Sequence, residues 1–320
     1  MAATRKRPAP DGAGPSAGCE NTRPRPYRFS TIDEYDTPEE LGEGAFSIVT
    51  KARHRPTGDV VAVKWIHGDD EDACDRAAVL HEVVCLAACH GHPSILQIKG
   101  VAVNKDAGHL FLVTEFVGPS LRQRLTRPFS EDETRAFMRQ LLGAAETLHD
   151  AGIIHRNITP ENILVGPDGT PKICGFGAAM QTAKPKRRCG LEKRVDHTMR
   201  YCSPEQHIGM CHYTPAVDVW ALGCVMAELL AGKPLFEFDT EDDVFEEILY
   251  LRDQLVAEDL EVFDDYLPEL SQAGRELLAG LLSFEDDERL TAAEALKHPW
   301  FAEDAKLPAI AKAEPVAVSE

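Results

Sequence analysis

The sequence predicts an α+β protein with two lobes, a small β-rich lobe followed by a larger helical one. Between residues 36 and 117, short β-type runs alternate around a single helical stretch. From residue 118 to residue 301 the pattern is mostly helical and includes one long apolar segment. Strands that are followed by a run of helices are typical of this class. At 320 residues, the chain is long enough to bury a large core.

Four runs of the first lobe have the composition of β-strands, because they are rich in β-branched and aromatic residues. They are residues 48–50, 60–65, 96–103 and 110–115. One helix, residues 72–89, is expected between the second and third runs. The hinge between the lobes is expected at residues 115–118, where the last β-type run ends.

The second lobe begins with a helix-start signal. Ser130 and Glu133 have the spacing of a capping box. An apolar face follows at helical spacing, made of Phe137, Leu141, Ala145 and Leu148. Residues 217–230 are almost continuously apolar, which predicts a buried helix at the centre of this lobe.

Composition excludes several function classes. A net charge of −19 argues against a nucleic-acid partner, because a phosphate backbone would repel the chain as a whole. No apolar run reaches the roughly 20 residues that span a bilayer, so no membrane association is expected. Nine cysteines without a Cys-x-x-Cys pair, and no signal peptide, predict an intracellular protein of the nucleus or cytoplasm.

Both ends of the chain are expected to be disordered tails. Residues 1–30 are rich in Pro, Ala, Gly and Arg and contain little that could be buried. Residues 302–320 have a similarly loose composition of Ala, Pro, Glu and Lys. The folded domain is therefore expected over residues 36–301.

A glycine-rich segment and a lysine mark a candidate phosphate site in the first lobe. Residues 41–49 read Leu-Gly-Glu-Gly-Ala-Phe-Ser-Ile-Val, and glycines allow backbone amides to approach a phosphate closely. Lys64 follows Gly44 by twenty residues, within the run Val-Ala-Val-Lys. Glu82 lies eighteen residues further on, inside the predicted helix, and is the natural partner of Lys64.

Four further motif segments lie in the second lobe. Residues 155–162 read His-Arg-Asn-Ile-Thr-Pro-Glu-Asn, and residues 174–177 read Cys-Gly-Phe-Gly. Residues 203–205 read Ser-Pro-Glu, and residues 218–223 read Asp-Val-Trp-Ala-Leu-Gly. Together with the glycine-rich segment, they resemble the ordered motif set of eukaryotic Ser/Thr protein kinases, in the cyclin-dependent-kinase-like branch and close to the plant F-type members.

The resemblance covers residues 36–301 and implies the bilobal protein-kinase fold, with an N-lobe over 36–117 and a C-lobe over 118–301. It implies ATP as the nucleotide and a protein as the substrate or partner. The positions that it implies for nucleotide binding are Gly42, Glu43, Gly44, Val49, Ala62, Lys64, Glu82, Glu115, Val117 and Asn162. It also implies that Asn162 is a metal ligand, that Asp218 braces the loop 155–162, and that Arg289 pairs with Glu205.

Three positions depart from the family pattern. Asn157 stands where the family has the aspartate that accepts and orients the substrate hydroxyl, and Thr159 stands where Ser/Thr kinases have a lysine. Gly175 stands where an aspartate holds magnesium, and glycine offers no metal ligand. We therefore expect ATP binding with weak or absent Mg²⁺ binding and impaired phosphoryl transfer, as in a pseudokinase. The alternatives are an active Ser/Thr kinase, favoured by Lys64, Glu82 and Asn162, and a relic without function.

The regulatory positions of the branch also differ. The cyclin-binding helix signature is absent, and residues 69–75 read Asp-Asp-Glu-Asp-Ala-Cys-Asp instead. Lys193 stands at the usual activating threonine, and Ala45-Phe46 replaces the inhibitory Thr-Tyr pair. These differences argue against a cyclin partner. Six basic residues between 184 and 194 form either a docking patch for an acidic partner or a solvated loop.

Overall fold

The computed structural model describes residues 27–36, 39–44, 47–68, 74–182, 196–210, 212–237, 240–257, 260–264 and 266–302. Several expectations fall outside these ranges. They are the structure of the tails over residues 1–26 and 303–320, the pair Ala45-Phe46, and the basic segment 184–194. Each of these stays a prediction. No described helix is both long enough and apolar enough to cross a membrane.

Six strands form the sheet of the first lobe, in the order β1-β5-β6-β4-β3-β2. They are β1 (Arg28–Thr31), β2 (Glu39–Gly44), β3 (Ser47–Arg53), β4 (Val60–Ile66), β5 (Ile98–Val103) and β6 (Leu110–Glu115). Neighbouring strands are antiparallel, except that β1 runs parallel to β5. Helix α1 (Arg76–Ala88) packs on one face of this sheet.

The second lobe is mainly helical. Its helices are α2 (Leu121–Arg124), α3 (Glu131–Asp150), α4 (Pro204–His207), α5 (Ala216–Ala231), α6 (Glu241–Val256), α7 (Gln272–Leu281) and α8 (Ala292–Ala295). Two small antiparallel ribbons lie between α3 and α4. They pair β7 (Ile153–Ile154) with β10 (Met180–Gln181), and β8 (Ile163–Val165) with β9 (Pro171–Ile173). The α+β class with two lobes is confirmed.

The two helix predictions for the second lobe are confirmed at residue level. Ser130 caps α3 by accepting a hydrogen bond from the amide of Glu133, whose carboxylate accepts in return from the amide of Ser130. The predicted apolar face of α3 is completely buried. Helix α5 is buried from Val217 to Leu229, and α3 and α7 pack against it. It therefore forms the centre of the C-lobe core, as expected.

The helix predicted for residues 72–89 is shorter than expected. Helix α1 begins at Arg76, because the carboxylate of Asp75 accepts a hydrogen bond from the amide of Ala78 and caps the helix there. Cys74 instead forms an isolated bridge with His67, at the end of β4. Strand β5 likewise begins at Ile98, two residues later than predicted.

The predicted end of the N-terminal tail at residue 30 is wrong for residues 28–30. Strand β1 begins at Arg28 and adds to the edge of the sheet beside β5. Its side chains gave no signal, because Phe29 is 59% exposed and no alternation of apolar residues is present. The strand approaches closely at Gly100, where an added Cβ would lie 2.9 Å from the backbone oxygen of Arg28.

Candidate functional site

The glycine-rich segment forms the hairpin of β2 and β3. Gly42 pairs with Val49, and Gly44 pairs with Ser47. A Cβ added at Gly42 would meet no atom within 4 Å, so packing inside the protein does not explain why this residue is a glycine. Open space above a backbone is what a ligand needs in order to approach its amide groups. The side chain of Glu43 is outside the described set.

The predicted contact between Lys64 and Glu82 is present. Lys64 Nζ lies 2.6 Å from Glu82 Oε1, and Glu82 is buried on α1. Val49 is the register partner of Lys64, and Ala62 lies on the same face of β4 because side chains alternate along a strand. The structure therefore brings Val49, Ala62, Lys64 and Glu82 together on the α1 side of the sheet.

The two predicted hinge residues, Glu115 and Val117, differ in their contacts. Glu115 accepts hydrogen bonds from Lys172 Nζ, at 2.9 Å, and from the amide of Gln97, at 2.9 Å. Its backbone is engaged as well, because its amide donates to the carbonyl oxygen of Gln97 at 3.0 Å and its carbonyl oxygen accepts from the hydroxyl of Thr114 at 3.2 Å. Val117 is half-buried and packs against the main core.

Asp218, at the start of α5, holds the loop 155–162 by its backbone. Its carboxylate accepts hydrogen bonds from the amides of His155, at 2.8 Å, and Arg156, at 2.7 Å. Arg156 has a left-handed φ of +66°, which this double contact stabilises. Burial opposes the ionisation of Asp218, but the nearby His149 outweighs it and holds the pKa of the carboxyl below its ordinary value. The predicted bracing contact is confirmed.

His155 joins this loop to the Cys-Gly-Phe-Gly segment. A ring nitrogen of His155 lies 2.9 Å from the carbonyl oxygen of Cys174. The ring also packs edge-on against Phe176, with 4.8 Å between the ring centres. Complete burial lowers the pKa of His155, so it is neutral near pH 7. Burial also raises the pKa of Cys174 to about 12, which makes its thiol unreactive.

Asn157, Asn162 and Gly175 meet at one point. The side-chain amide of Asn162 donates to the carbonyl oxygen of Asn157 at 3.0 Å. Gly175 adopts a left-handed conformation, with φ +80° and ψ +50°. A Cβ placed on Gly175 would lie 2.7 Å from Asn162 Cγ, so the asparagine side chain fills the space that a side chain at position 175 would take. The three predicted positions are adjacent, and none of them carries a charge.

Thr159 is a buried residue of the same loop. Its side chain is buried within the loop, and no positive charge can be presented from it. Asp168 sits in the turn between β8 and β9, where it accepts a hydrogen bond from the amide of Thr170. Glu161 receives a hydrogen bond from Arg122 at 2.7 Å. Burial raises the pKa of Glu161, but the hydrogen bond from Arg122, the hydroxyl of Thr159 and the charge of Arg122 together outweigh it, so the pKa lies below its ordinary value.

One buried polar cluster was missed from the sequence. Arg122 on α2 forms an ion pair with Glu228 on α5 and donates to the hydroxyl of Tyr201 at 2.6 Å, and Tyr201 donates to Glu228. Arg122 thus links the loop 155–162, through Glu161, to the segment that precedes α4. A signal did exist, because Glu228 is a charged residue within a buried apolar helix and must have a partner there.

The comparisons with known proteins agree with this geometry. The family described as protein kinase domain matches residues 35–301. The chain is 36% identical over 307 residues to "Putative cyclin-dependent kinase F-2" of Oryza sativa subsp. japonica, with 85% of the chain and 91% of that protein covered. It is 34% identical to "Cell division control protein 2 homolog 3" of Trypanosoma brucei brucei, with 85% and 93% covered.

A third relative is longer. The chain is 31% identical to "Cyclin-dependent kinase G-2" of Oryza sativa subsp. indica, covering 85% of the chain but only 42% of that protein. The family match, over residues 35–301, extends over both lobes and every motif described above. The chain belongs to the eukaryotic Ser/Thr protein kinase family, in its cyclin-dependent-kinase-like branch.

Proposed function

We propose that the protein is a pseudokinase, which binds ATP in the cleft between the lobes and transfers its γ-phosphate poorly or not at all. The family as a whole uses ATP, usually with Mg²⁺, and phosphorylates protein hydroxyls. The proposal rests on one observation above all. Asn157, Asn162 and Gly175 stand where the family handles metal and substrate, and none of these three residues supplies a carboxylate.

The first part of the proposal, ATP binding, rests on groups that match the family pattern. The backbone of Gly42 is open to a ligand. Lys64 is held at 2.6 Å from Glu82, so its charge is positioned for phosphate oxygens. Both features suit nucleotide phosphates without any rearrangement.

The residues at the expected metal site suit a magnesium ion less well than Gly42 and Lys64 suit phosphate groups. Mg²⁺ takes near-octahedral oxygen ligands and is usually held in proteins by one or two carboxylates. Asn162 offers one amide oxygen, and Gly175 offers no side chain. Within the described ranges, no group of three or more Asp, Glu, His or Cys residues is arranged to hold a metal. We therefore derive no catalytic step through magnesium.

The second part of the proposal, poor phosphoryl transfer, follows from the neutral side chains of Asn157 and Thr159. The amide oxygen of Asn157 can accept a hydrogen bond from a substrate hydroxyl, but it cannot take the proton at neutral pH. General-base assistance is worth roughly 10²–10⁴-fold in rate. Thr159 supplies no charge to the transferring phosphoryl group. The losses therefore fall on the same step.

We expect wild-type protein to transfer no more γ-phosphate than its Lys64→Ala variant. The measurement uses γ-labelled ATP with Mg²⁺ and then Mn²⁺, a generic basic protein as acceptor, and the chain itself. In a separate binding titration, Lys64→Ala should weaken ATP binding by about 10-fold or more, because a charge-assisted contact is lost. Chelating the metal should change wild-type ATP affinity only slightly.

Transfer by the wild-type protein well above that of the Lys64→Ala variant would instead establish the alternative, an active Ser/Thr kinase. The intact Lys64–Glu82 contact is the observation that favours this alternative. A Lys64→Ala protein that unfolds would be uninformative as a control, so its thermal unfolding is compared with that of Lys64→Arg. Failure of both ATP binding and transfer would refute the proposal.

A second candidate role, partner binding, is supported by helix α1. Ten of its thirteen residues are apolar, yet one face of the helix is exposed. That face, the α1 stripe, consists of Ala77, Leu80, Val84 and Ala88. Leu80 is 50% exposed and Val84 is 51% exposed. An apolar face of this kind usually marks a protein interface.

Several relatives are named as cyclin-dependent kinases. A cyclin is therefore the partner to test on the α1 stripe, although the cyclin-binding helix signature is absent. We expect that a cyclin co-expressed with the chain co-purifies with it. Leu80→Glu/Val84→Glu should weaken the complex by about 10-fold or more, because two charges would enter an apolar interface. Tyr250→Glu, on the exposed face of α6, is the matched control. Equal loss in both variants, or no complex with any cyclin, would exclude this role.

A further inference from the structure

The outer face of the N-lobe sheet, opposite α1, carries its own small core. Ile32 and Tyr35, from the segment before β2, fold over Val63 and Val113 in that core. The next cross-strand row consists of Ile48, Trp65 and Phe111, which are in register on β3, β4 and β6. The segment before β2 covers this row only partly, and a cavity of about 240 Å³ remains between them.

The lining of this cavity, the outer-face pocket, has two parts. One part is aromatic and consists of Tyr35, Trp65 and Phe111, and the other is aliphatic and includes Ile32, Ile48 and Val63. All three aromatic side chains are half-buried. The carboxylate of Asp36 lies at the rim. Aromatic faces and a nearby negative charge both attract a cation, while an aliphatic wall accepts a hydrocarbon stem.

The acceptor groups of the pocket take part in hydrogen bonds within the protein, whereas the indole N–H of Trp65, a donor, has no partner among the described residues. The hydroxyl of Thr50 donates to the carbonyl oxygen of Val63, and the hydroxyl of Tyr35 bonds to that of Ser30 at 2.9 Å. Asp36 receives a hydrogen bond from Arg55 at 2.7 Å, in a solvent-exposed pair. A primary ammonium would therefore lose hydrogen bonds to water on entry, and the acceptors of the described lining residues are already engaged or, in Asp36, shared with Arg55. A trimethylammonium has no N–H groups and loses nothing of this kind.

We propose that the outer-face pocket binds the trimethylated side chain of a lysine presented by a protein partner. The size is suitable, because at about 30 Å³ for each water-sized group the cavity holds about eight such groups. That is the size of a trimethyllysine side chain beyond its Cα. The aliphatic stem lies along Ile32 and Ile48, and the cationic head lies against the aromatic rings.

This site is separate from the nucleotide site. Ile48 and Trp65 are register partners, and so are their neighbours Val49 and Lys64. Because successive side chains of a strand point to opposite faces, the two pairs lie on opposite sides of the sheet. The proposal therefore stands or falls independently of ATP binding and of phosphoryl transfer.

Tryptophan fluorescence gives a direct readout of the pocket. The chain has three tryptophans, and Trp220 and Trp300 are fully buried in the C-lobe. A change on ligand addition therefore reports mainly Trp65. The probe is a capped Gly-Lys-Gly peptide whose lysine is unmodified, trimethylated, or replaced by a neutral analogue in which a tert-butyl group takes the place of the trimethylammonium.

We expect the full chain to bind the trimethylated peptide about 10-fold more tightly than either of the other two, because only this peptide combines a cation with a lack of N–H groups. Phe111→Leu should reduce that preference by several-fold while leaving the neutral analogue unaffected. Phe29→Leu is the matched control, because Phe29 is an exposed aromatic residue outside the pocket lining. A thermal unfolding transition close to that of the wild-type protein verifies that each variant is folded.

Three outcomes would overturn the proposal. Equal binding of the neutral analogue would identify a merely apolar groove, and equal binding of the unmodified peptide would identify a general basic-peptide site. An absence of saturation up to about 10 mM peptide would show that no site exists. If Phe111→Leu does not fold, Trp65→Phe with the trimethylated peptide detected by NMR takes its place.

Discussion

Replacing both Asn157 and Gly175 by aspartate is expected to raise Mg²⁺-dependent γ-phosphate transfer by about 10²-fold or more over the wild-type rate. The first substitution supplies a carboxylate that accepts and orients the substrate hydroxyl. The second supplies a metal ligand close to Asn162. The measurement is initial-rate transfer of label from ATP to a generic basic protein, with Mg²⁺ at saturation.

The geometry at Gly175 decides whether the second carboxylate can be accommodated. Its left-handed backbone, with φ +80° and ψ +50°, is one that aspartate adopts more readily than most residues. The obstacle is the side chain of Asn162, which fills the space of the new Cβ. That side chain can rotate, at the cost of its single hydrogen bond to the carbonyl oxygen of Asn157. We expect that cost to be about 1 kcal/mol, which metal coordination offsets.

The two single variants are informative controls. Asn157→Asp alone gains a base but no metal ligand, and Gly175→Asp alone gains a ligand but no base, so each should recover much less than the pair. Groups that serve one step are strongly non-additive. Adding Lys64→Ala to the double variant should abolish the gain. A double variant that binds Mg²⁺ and ATP yet transfers no faster than wild type would show that these positions do not limit the reaction.

Contacts between motif residues were predictable although they are distant in the sequence. Lys64 and Glu82 meet across eighteen residues, and the carboxylate of Asp218 reaches the amides of His155 and Arg156. In each case, residue types at a family spacing identified the contact, since no periodicity alone would pair a strand with a helix. The sequence also shows that neither Asn157 nor Gly175 carries a charge.

Contacts without a motif were not predictable. Strand β1 is an edge strand with exposed side chains, so it lacks the alternation that marks a half-buried strand. The outer-face pocket joins Tyr35, Trp65 and Phe111, whose proximity depends on strand register and on which segment covers the sheet. Local patterns determine which side chains share a face of one strand, but they do not determine what folds over that face.

The second large effect concerns stability. Replacing Glu205 by glutamine is expected to lower the free energy of unfolding by about 3–5 kcal/mol, because it leaves a buried guanidinium without its counter-charge. The side chain of Arg289 is 0% exposed and that of Glu205 is 8% exposed, and they form two hydrogen bonds of 2.8 and 3.1 Å. The measurement is urea unfolding at pH 7.

The matched control is an exposed pair, Lys51 and Glu39, at 3.1 Å. Glu39→Gln should change stability by less than about 1 kcal/mol, because water screens both charges. A similar small change for Glu205→Gln would show that water reaches the buried pair. The double variant Glu205→Leu/Arg289→Met should be at least as destabilised as Glu205→Gln, since it also removes the hydrogen bonds from Arg289 to the carbonyl oxygens of Ala216, Ser283 and Phe284.

Arg289 also explains why this fold is retained when the groups of phosphoryl transfer are changed. Its guanidinium donates to the carbonyl oxygens of Ala216, Ser283 and Phe284. It therefore joins the start of α5 to the loop after α7 through contacts that involve neither Asn157 nor Gly175. The residues at those two positions carry no carboxylate, but neither residue is part of the buried network of Arg289. We accordingly expect Glu205→Gln to lower stability, while Asn157→Asp leaves the free energy of unfolding within about 1 kcal/mol of the wild-type value.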